Sequence, residues 1–301
     1  MNIFLTGGNG FLGSHFRRYL NLKCLNPIAP SSSECDLTEP TSLQNFNNLT
    51  YDRIYHFAAW TQAGDFCLKY PADQWVINQK INTNVLHWWR THQPQAHLVF
   101  VGTSCVYSPT HKHEESGFIW EKPEYSLETY ALTKKMLLQG ASAIAKQDNL
   151  SFTCLVPSTL YGPNYHTDDR QLHFIFDLIR KILNGKEFGA PVNLWGDGNQ
   201  HRELIHVKDF IELMWRLSTA TNQVINIGTG KSFTIREFAE KICHIVGYDC
   251  NNISYDISKY TGATFKMLSN KKMSKFIKGY EFVDINTGLC ETIEWYKSIR
   301  K

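Results

Sequence analysis

"MNIFLTGGNGFLGSH", residues 1–15, places glycines at 7, 8, 10 and 13 directly behind a short apolar run. The stretch can be framed in two ways. Gly8-x-Gly10-x-x-Gly13 is the general dinucleotide spacing, and Thr6-Gly7-x-x-Gly10-x-x-Gly13 is a more specialised one. In both frames the glycines follow a strand and open the stretch FLGSHFRRYL (11–20). Glycine permits the tight turn, and bare backbone lets a pyrophosphate approach the unpaired N–H groups of a helix N-terminus. This context predicts a dinucleotide site.

The rest of the first half keeps the same rhythm. NIFLT (2–6), RIYHFAA (53–59), AHLVFVGTS (96–104) and FTCLVPS (152–158) are short and mostly apolar, as strands covered on both faces read. LNPIAPSSS (25–33) reads as the second strand of the series. Between the strands, LGSHFRRYLNL (12–22), WVINQKINTNVLHWWRTH (75–92) and TYALTKKMLLQGASAIAKQ (129–147) are long enough for crossover helices. The expected fold is α/β: a Rossmann-type doubly wound parallel sheet with a smaller C-terminal α/β lobe.

After YGPNY (161–165) the texture changes. Helix-like QLHFIFDLIRKILNG (171–185) precedes a glycine-rich turn in WGDGNQHRELIHVKD (195–209), then VINIGTG (224–230) and the amphipathic TIREFAEKICHIVG (234–247). Residues 1–160 plus 204–230 are expected to bind the dinucleotide. Residues 161–203 plus 231–301 are expected to form the substrate lobe, with a small ligand in the cleft between them.

Of the 301 residues, 43% are hydrophobic and 20% charged, ordinary globular values. A net charge of +3 with scattered Lys and Arg gives no reason to expect a nucleic-acid partner. No apolar run reaches the length of a membrane span. Met1 runs straight into a strand, leaving no room for a signal peptide, and the eight cysteines form no C-x-x-C pair. A cytoplasmic chain with reduced thiols, no metal and no membrane is the expectation.

ETYALTKKM (128–136) sets Tyr130 and Lys134 four apart, on one face of a helix. From there Lys134 is expected to depress the phenol pKa and to hold the nicotinamide ribose. Spacing alone is weak, since Tyr19/Lys23 and Tyr255/Lys259 share it. What separates Tyr130/Lys134 is VFVGTSCVY (99–107) upstream, the end of a buried strand where a hydroxyl would face the cofactor.

Thr6-Gly7-x-x-Gly10-x-x-Gly13, YHFAA (55–59), TSCVY (103–107), Tyr130-x-x-x-Lys134 and LYGP (160–163), in that order, resemble the extended short-chain dehydrogenase/reductase family over nearly the whole chain. The resemblance selects the second framing of the opening glycines. It implies a triad of Thr103, Tyr130 and Lys134, with Tyr130 as acid/base. It also implies cofactor contacts from Gly7, Gly10, Phe11, Leu12, Gly13, Asp36, Leu37, Ala58, Ala59, Tyr130, Lys134, Pro157 and His173. A 4,6-dehydratase of this family would carry Asp-Glu after the triad hydroxyl; Ser104-Cys105 stands there instead.

Within the family the chain is similar to the GDP-L-fucose synthases, whose strand-end GSSCIY matches GTSCVY. Counting twelve residues beyond Tyr161 of LYGP gives His173. The resemblance implies that Cys105 and His173 move protons at C3 and C5 of a 4-keto-6-deoxy sugar. A thiol near pKa 8.5 and an imidazole near 6.5 suit that exchange. Reduction at C4, with Tyr130 supplying the proton, would follow. Lys181, Trp195 and Arg202 are expected on the substrate side, with Arg202 toward phosphate. An enzyme performing only half of this, such as a reductase of a 6-deoxyheptose, is the alternative.

Where the fucose synthases carry arginines for the NADP phosphate, this chain has Asn9 and Ser31–Ser33. Their PDGTPRK has become YTGATFK (260–266). With no repelling acid at the end of the second strand, NADP(H) is the expected cofactor and NAD(H) stays open. A GDP-linked nucleotide sugar is the expected substrate. A homodimer through a four-helix interface is implied, with VLHWWRTH (85–92) or the helix after Tyr130 as candidate faces, unless both pack on the sheet.

Overall fold

The structure, a computed structural model, describes residues 1–109, 113–168, 170–259 and 261–300. Tyr260 of YTGATFK lies outside them. The first half runs β1 (Ile3–Thr6), α1 (Phe11–Leu22), β2 (Arg53–His56), α2 (Phe66–Lys69), α3 (Pro71–His92), β3 (His97–Val101), α4 (Glu128–Asp148), β4 (Phe152–Pro157) and β5 (Thr159–Tyr161). Next come α5 (Phe174–Phe188), β6 (Val192–Trp195), β7 (His201–Arg202), β8 (Leu204–His206), α6 (Val207–Leu217) and β9 (Gln223–Ile227). The chain closes with β10 (Phe233–Thr234), α7 (Ile235–Val246), β11 (Ile253–Asp256), β12 (Phe265–Lys266), α8 (Met273–Phe276) and α9 (Ile285–Ser298).

The main sheet is wholly parallel, in the order β1-β2-β3-β4-β9. Alternate side chains of each strand enter opposite faces, which is why these strands read as continuous apolar runs. On β1, Phe4 packs with Trp88 and Trp89 of α3 and Leu137 of α4. Ile3 and Leu5 face Phe16 of α1 and Phe210 of α6. A third core joins α5, α7 and α9 through Ile179, Ile182, Phe238, Ile242 and Leu289. Rossmann core and smaller α/β lobe are therefore both present.

The expected second strand shrinks to a single bridge, Ile28 to Phe4. Leu5 N–H donates to Ile28 O at 2.8 Å and Ile28 N–H to Ile3 O at 2.9 Å. Pro27 and Pro30 flank that bridge and bring no N–H, so the ladder cannot lengthen. The helix expected from Gln171 begins only at Phe174, with His173 extended at its N-cap (φ −62°, ψ 150°). Val85, Leu86, Trp88 and Trp89 are buried against the sheet, so VLHWW belongs to the core.

At the head of β1 the glycine loop folds tightly onto itself. Gly7 has φ +70°, and a Cβ there would stand 2.7 Å from Ala58 N. A Cβ on Gly13 would drive into the Gly7 carbonyl oxygen. We predict that Gly13→Ala destabilises the protein by about 1–3 kcal/mol, the usual cost of overpacking. Urea unfolding without cofactor checks this; an unchanged midpoint would contradict the close approach.

Candidate active site

The strand β3 ends at Val101, and the chain then turns through Thr103 into the short turn holding Cys105. Thr103 is buried, and its Oγ1 accepts the Cys105 N–H at 3.2 Å. Helix α4 crosses beside this turn. Its first turn brings the Tyr130 phenol near the Thr103 hydroxyl, close enough for that group to act on the phenol's pKa. One turn on, Lys134 is buried and donates from Nζ to Val101 O at 3.0 Å.

The electrostatics differ from the expectation in one respect. Burial pushes the Tyr130 phenol well above its ordinary value, and the thiols of Cys105 and Cys67 add to the shift. The nearby Thr103 hydroxyl works against it. Lys134 does not pull the phenol down here: its ammonium is turned to the Val101 carbonyl, and burial lowers its own pKa to about 8.

The smaller lobe supplies the opposite wall. β12 pairs in parallel with β7, setting Lys266 opposite Arg202 in register. The Arg202 guanidinium is pinned by backbone: Nη1 donates to Ala263 O at 2.7 Å and Nη2 to Thr261 O at 3.0 Å. Lys266 Nζ approaches Cys105 Sγ at 3.9 Å. His173 is solvent-accessible at the cleft. Crowding by the surrounding protein, and then the charges of Lys266 and Arg202, hold its imidazole below the usual value. Thr103, Cys105, Tyr130, His173, Arg202 and Lys266 thus share one cleft, with Lys134 beneath it.

Other predicted residues lie apart from this cluster. Lys181 pairs with Asp177 at 3.0 Å on α5, and Trp195 stands exposed at the end of β6. Pro157 ends β4. Asp36 is exposed and accepts the backbone N–H of Thr38 at 2.9 Å, while Leu37 is buried. Leu12 packs beside the core under α1, and Ala59 is half-buried after β2. Phe11 reaches the second lobe, its ring edge-on to Tyr165 with centroids 5.1 Å apart.

The glycine loop fits a dinucleotide pyrophosphate. Gly10 caps α1 without any side-chain hydrogen bond, and no acid sits in the first turn. The first-turn N–H groups and the positive helix end therefore face an anion without competition. Gly7, Gly10 and Gly13 keep side chains out of that space.

The chain can now be compared with known proteins. The model of the NAD dependent epimerase/dehydratase family matches residues 3–228. The chain belongs to that family. It is an enzyme of the short-chain dehydrogenase/reductase type. "GDP-L-fucose synthase 1" of Arabidopsis thaliana is 30% identical to it, over 98% of this chain and 92% of the relative. "GDP-L-colitose synthase" of Yersinia pseudotuberculosis is 28% identical, over 98% of each chain. The fold matches a crystal structure of a GDP-L-fucose synthetase from Naegleria fowleri bound to NADP with a TM-score of 0.87. That match has 20% identity and covers 99% of this chain and 94% of the other.

Family motifs alone did not reveal three parts of the site. Lys266 was visible only as the end of YTGATFK; its contact with the thiol needs the β7–β12 pairing. Cys67, at α2, stands close enough to Cys105 and Tyr130 to be felt by both. Gln171 clasps Asp65 across the cleft: Nε2 donates to Asp65 Oδ1 at 2.5 Å, and Asp65 N–H donates to Gln171 Oε1 at 3.0 Å. That clasp spends the residue two before His173 on the other lobe, which explains why the helix starts late.

Beneath the cleft a buried chain of polar groups ties the sheet to α3 and α4. Thr6 Oγ1 meets His56 Nδ1 at 2.8 Å, His56 Nε2 meets Asn82 Oδ1 at 3.2 Å, and Asn82 Nδ2 donates to Thr133 O at 3.3 Å. Asn82 spends its amide N–H on Thr133 O, so its Oδ1 accepts from Nε2–H; in the neutral ring Nδ1 then accepts from the Thr6 hydroxyl, whose oxygen also accepts the Ala58 N–H. Burial lowers the His56 pKa to about 4. Unfolded, it would titrate near 6.5. Between those values the unfolded chain binds the extra proton, so stability is full above about pH 6.5 and falls as the pH drops toward about 4. We predict that His56 alone contributes up to about 3 kcal/mol to this loss. Urea unfolding at about pH 7 and about pH 5 reads it, and His56→Asn should flatten the slope; an equal slope in the variant would contradict the assignment.

Proposed function

We propose that this enzyme is an NADP(H)-dependent epimerase/reductase of a GDP-linked 4-keto-6-deoxy sugar, epimerising C3 and C5 before reducing C4. The observation that carries the reading is the cleft itself: a thiol and an imidazole come from opposite lobes, beside a phenol that lies near a threonine hydroxyl. The relatives named as GDP-L-fucose and GDP-L-colitose synthases support the nucleotide sugar, and the Naegleria structure with NADP supports the cofactor class. The division into a dinucleotide part (1–160 plus 204–230) and a substrate part (161–203 plus 231–301) belongs to the same proposal.

Gly7, Gly10, Phe11, Leu12 and Gly13 would cradle the pyrophosphate. Asp36, Leu37, Ala58 and Ala59 would border the adenosine side, and Lys134, Pro157 and His173 the nicotinamide side. When bound, the reduced dinucleotide supplies the hydride. The protein's own groups manage protons. Cys105 Sγ removes the proton beside the sugar carbonyl, leaving an enolate whose oxygen accepts hydrogen bonds from Tyr130 Oη and Thr103 Oγ1. His173 returns a proton to the same carbon from the other side, which inverts it. In the reduction, Tyr130 Oη gives its proton to the C4 oxygen. Lys266 lies beside Sγ, and Arg202 with Lys181 would hold the diphosphate. Trp195 would border the same substrate.

Ketosugar incubated in deuterated water separates the steps. The wild type should incorporate deuterium at C3 and C5 without NADPH. Cys105→Ser should slow that exchange far more than hydride transfer. Tyr130→Phe should lower reduction by about 10²–10⁴-fold. Exchange absent from a wild type that still reduces would leave a simple reductase; exchange without reduction would leave an epimerase.

The same proposal includes a homodimer. Leu132 and Met136 of α4 and Trp75 and Val76 of α3 are exposed, on helices that pack side by side. Light scattering should give twice the chain mass, and Leu132→Lys with Met136→Lys should halve it. A monomeric wild type would remove this part.

A further inference from the structure

The end of the second strand carries serines, and the sequence offered no arginine to read the cofactor's ribose phosphate. The structure brings one from another element. Arg17 lies on the exposed side of α1 and turns back toward the helix N-terminus, as long helical side chains do. Its Nη1 donates to Asn9 Oδ1 at 2.9 Å. On the way its Cδ crosses Gly8, where a Cβ would stand 3.2 Å from it and 2.9 Å from Ala29 Cβ. Gly8 is what leaves that path open. Ala29 follows Ile28, the residue bridged to Phe4 at the sheet edge.

Arg17, Asn9 and Ala29, from which the edge segment runs on to Ser33, therefore meet at one corner beside the glycine loop. In a Rossmann fold that corner faces the 2′ position of the adenosine ribose, where an acid favours a hydroxyl and an arginine a phosphate. No carboxylate among the described residues pairs with Arg17. The neighbouring acid, Glu34, is engaged in its own turn, accepting Ser31 N–H and the Ser31 hydroxyl, each at 2.8 Å. A guanidinium with no carboxylate partner, beside a hydroxyl-bearing run, suits a dianionic phosphate better than a ribose hydroxyl.

We infer that Arg17, oriented by Asn9, recognises the 2′-phosphate of NADP(H) and sets the cofactor preference of this chain. The inference rests on the dinucleotide reading of the glycine loop and not on the sugar chemistry. Binding by calorimetry tests it without turnover, using NADP⁺, NAD⁺, 2′,5′-ADP and 5′-ADP. The wild type should bind the 2′-phosphorylated member of each pair more tightly. Arg17→Ala should lose at least about tenfold for NADP⁺ and 2′,5′-ADP while leaving NAD⁺ and 5′-ADP unchanged, and Arg17→Lys should keep part of the preference. A wild type that prefers NAD⁺, or an Arg17→Ala variant that moves both members equally or neither, overturns the assignment. A wild type that binds none of the four overturns the dinucleotide site itself. Arg17 is exposed, and matched thermal unfolding of wild type and variants would exclude a folding defect.

Discussion

The contact between the Gly7 carbonyl and the Cα of Gly13 is the constraint on which the site depends. It lays the first turn of α1 directly against the loop that leaves β1, so the helix N-terminus opens onto the head of the parallel sheet. Gly7 also sits against the backbone of Ala58, which joins the end of β2 to the same loop. From Thr6 the hydrogen bonds run through His56 and Asn82 to Thr133, in the turn of α4 between Tyr130 and Lys134. Anion cradle and catalytic helix are thus connected by one buried polar chain.

The second organising feature is electrostatic. The cleft's phenol is half-buried and shifted toward its neutral form, whereas its cations come from the other lobe by strand pairing. Neutral phenol is the form a proton donor needs. Lys134 is held by Val101 O beneath the site, so its charge supports the region from below without ionising Tyr130. The acid and the thiol-side cation therefore belong to different elements, Tyr130 to α4 and Lys266 to β12.

Much of this was legible in the sequence because the motifs are local. The glycine loop, the strand-end TSCVY and Tyr130-x-x-x-Lys134 each lie within one turn or one strand end, where spacing translates directly into geometry. The apolar runs marked four of the five main strands for the same reason, and VINIGTG marked the fifth. What was not legible depends on distant partners. Gln171 and Asp65 are 106 residues apart, and no local pattern pairs them. Lys266 gains its place from a two-residue parallel pairing too short to announce itself. Arg17 has no local signature, because the path that turns it back exists only once Gly8 and Ala29 are packed together. The second strand failed for a simpler reason: the pattern was apolar, but its prolines removed the donors.

His173 shows how the two lobes would act as one device. In the protein alone its imidazole is held neutral by crowding and by Lys266 and Arg202, which is the wrong state for donating a proton. A bound diphosphate brings negative charge to the same cations. Each elementary charge it neutralises weakens their repulsion of an imidazolium, and excluding water from the cleft strengthens what attraction remains. On the proposed function the substrate's own phosphates would thus prepare the acid, and the Gln171–Asp65 hydrogen bonds tie the residue two before it to the segment after β2.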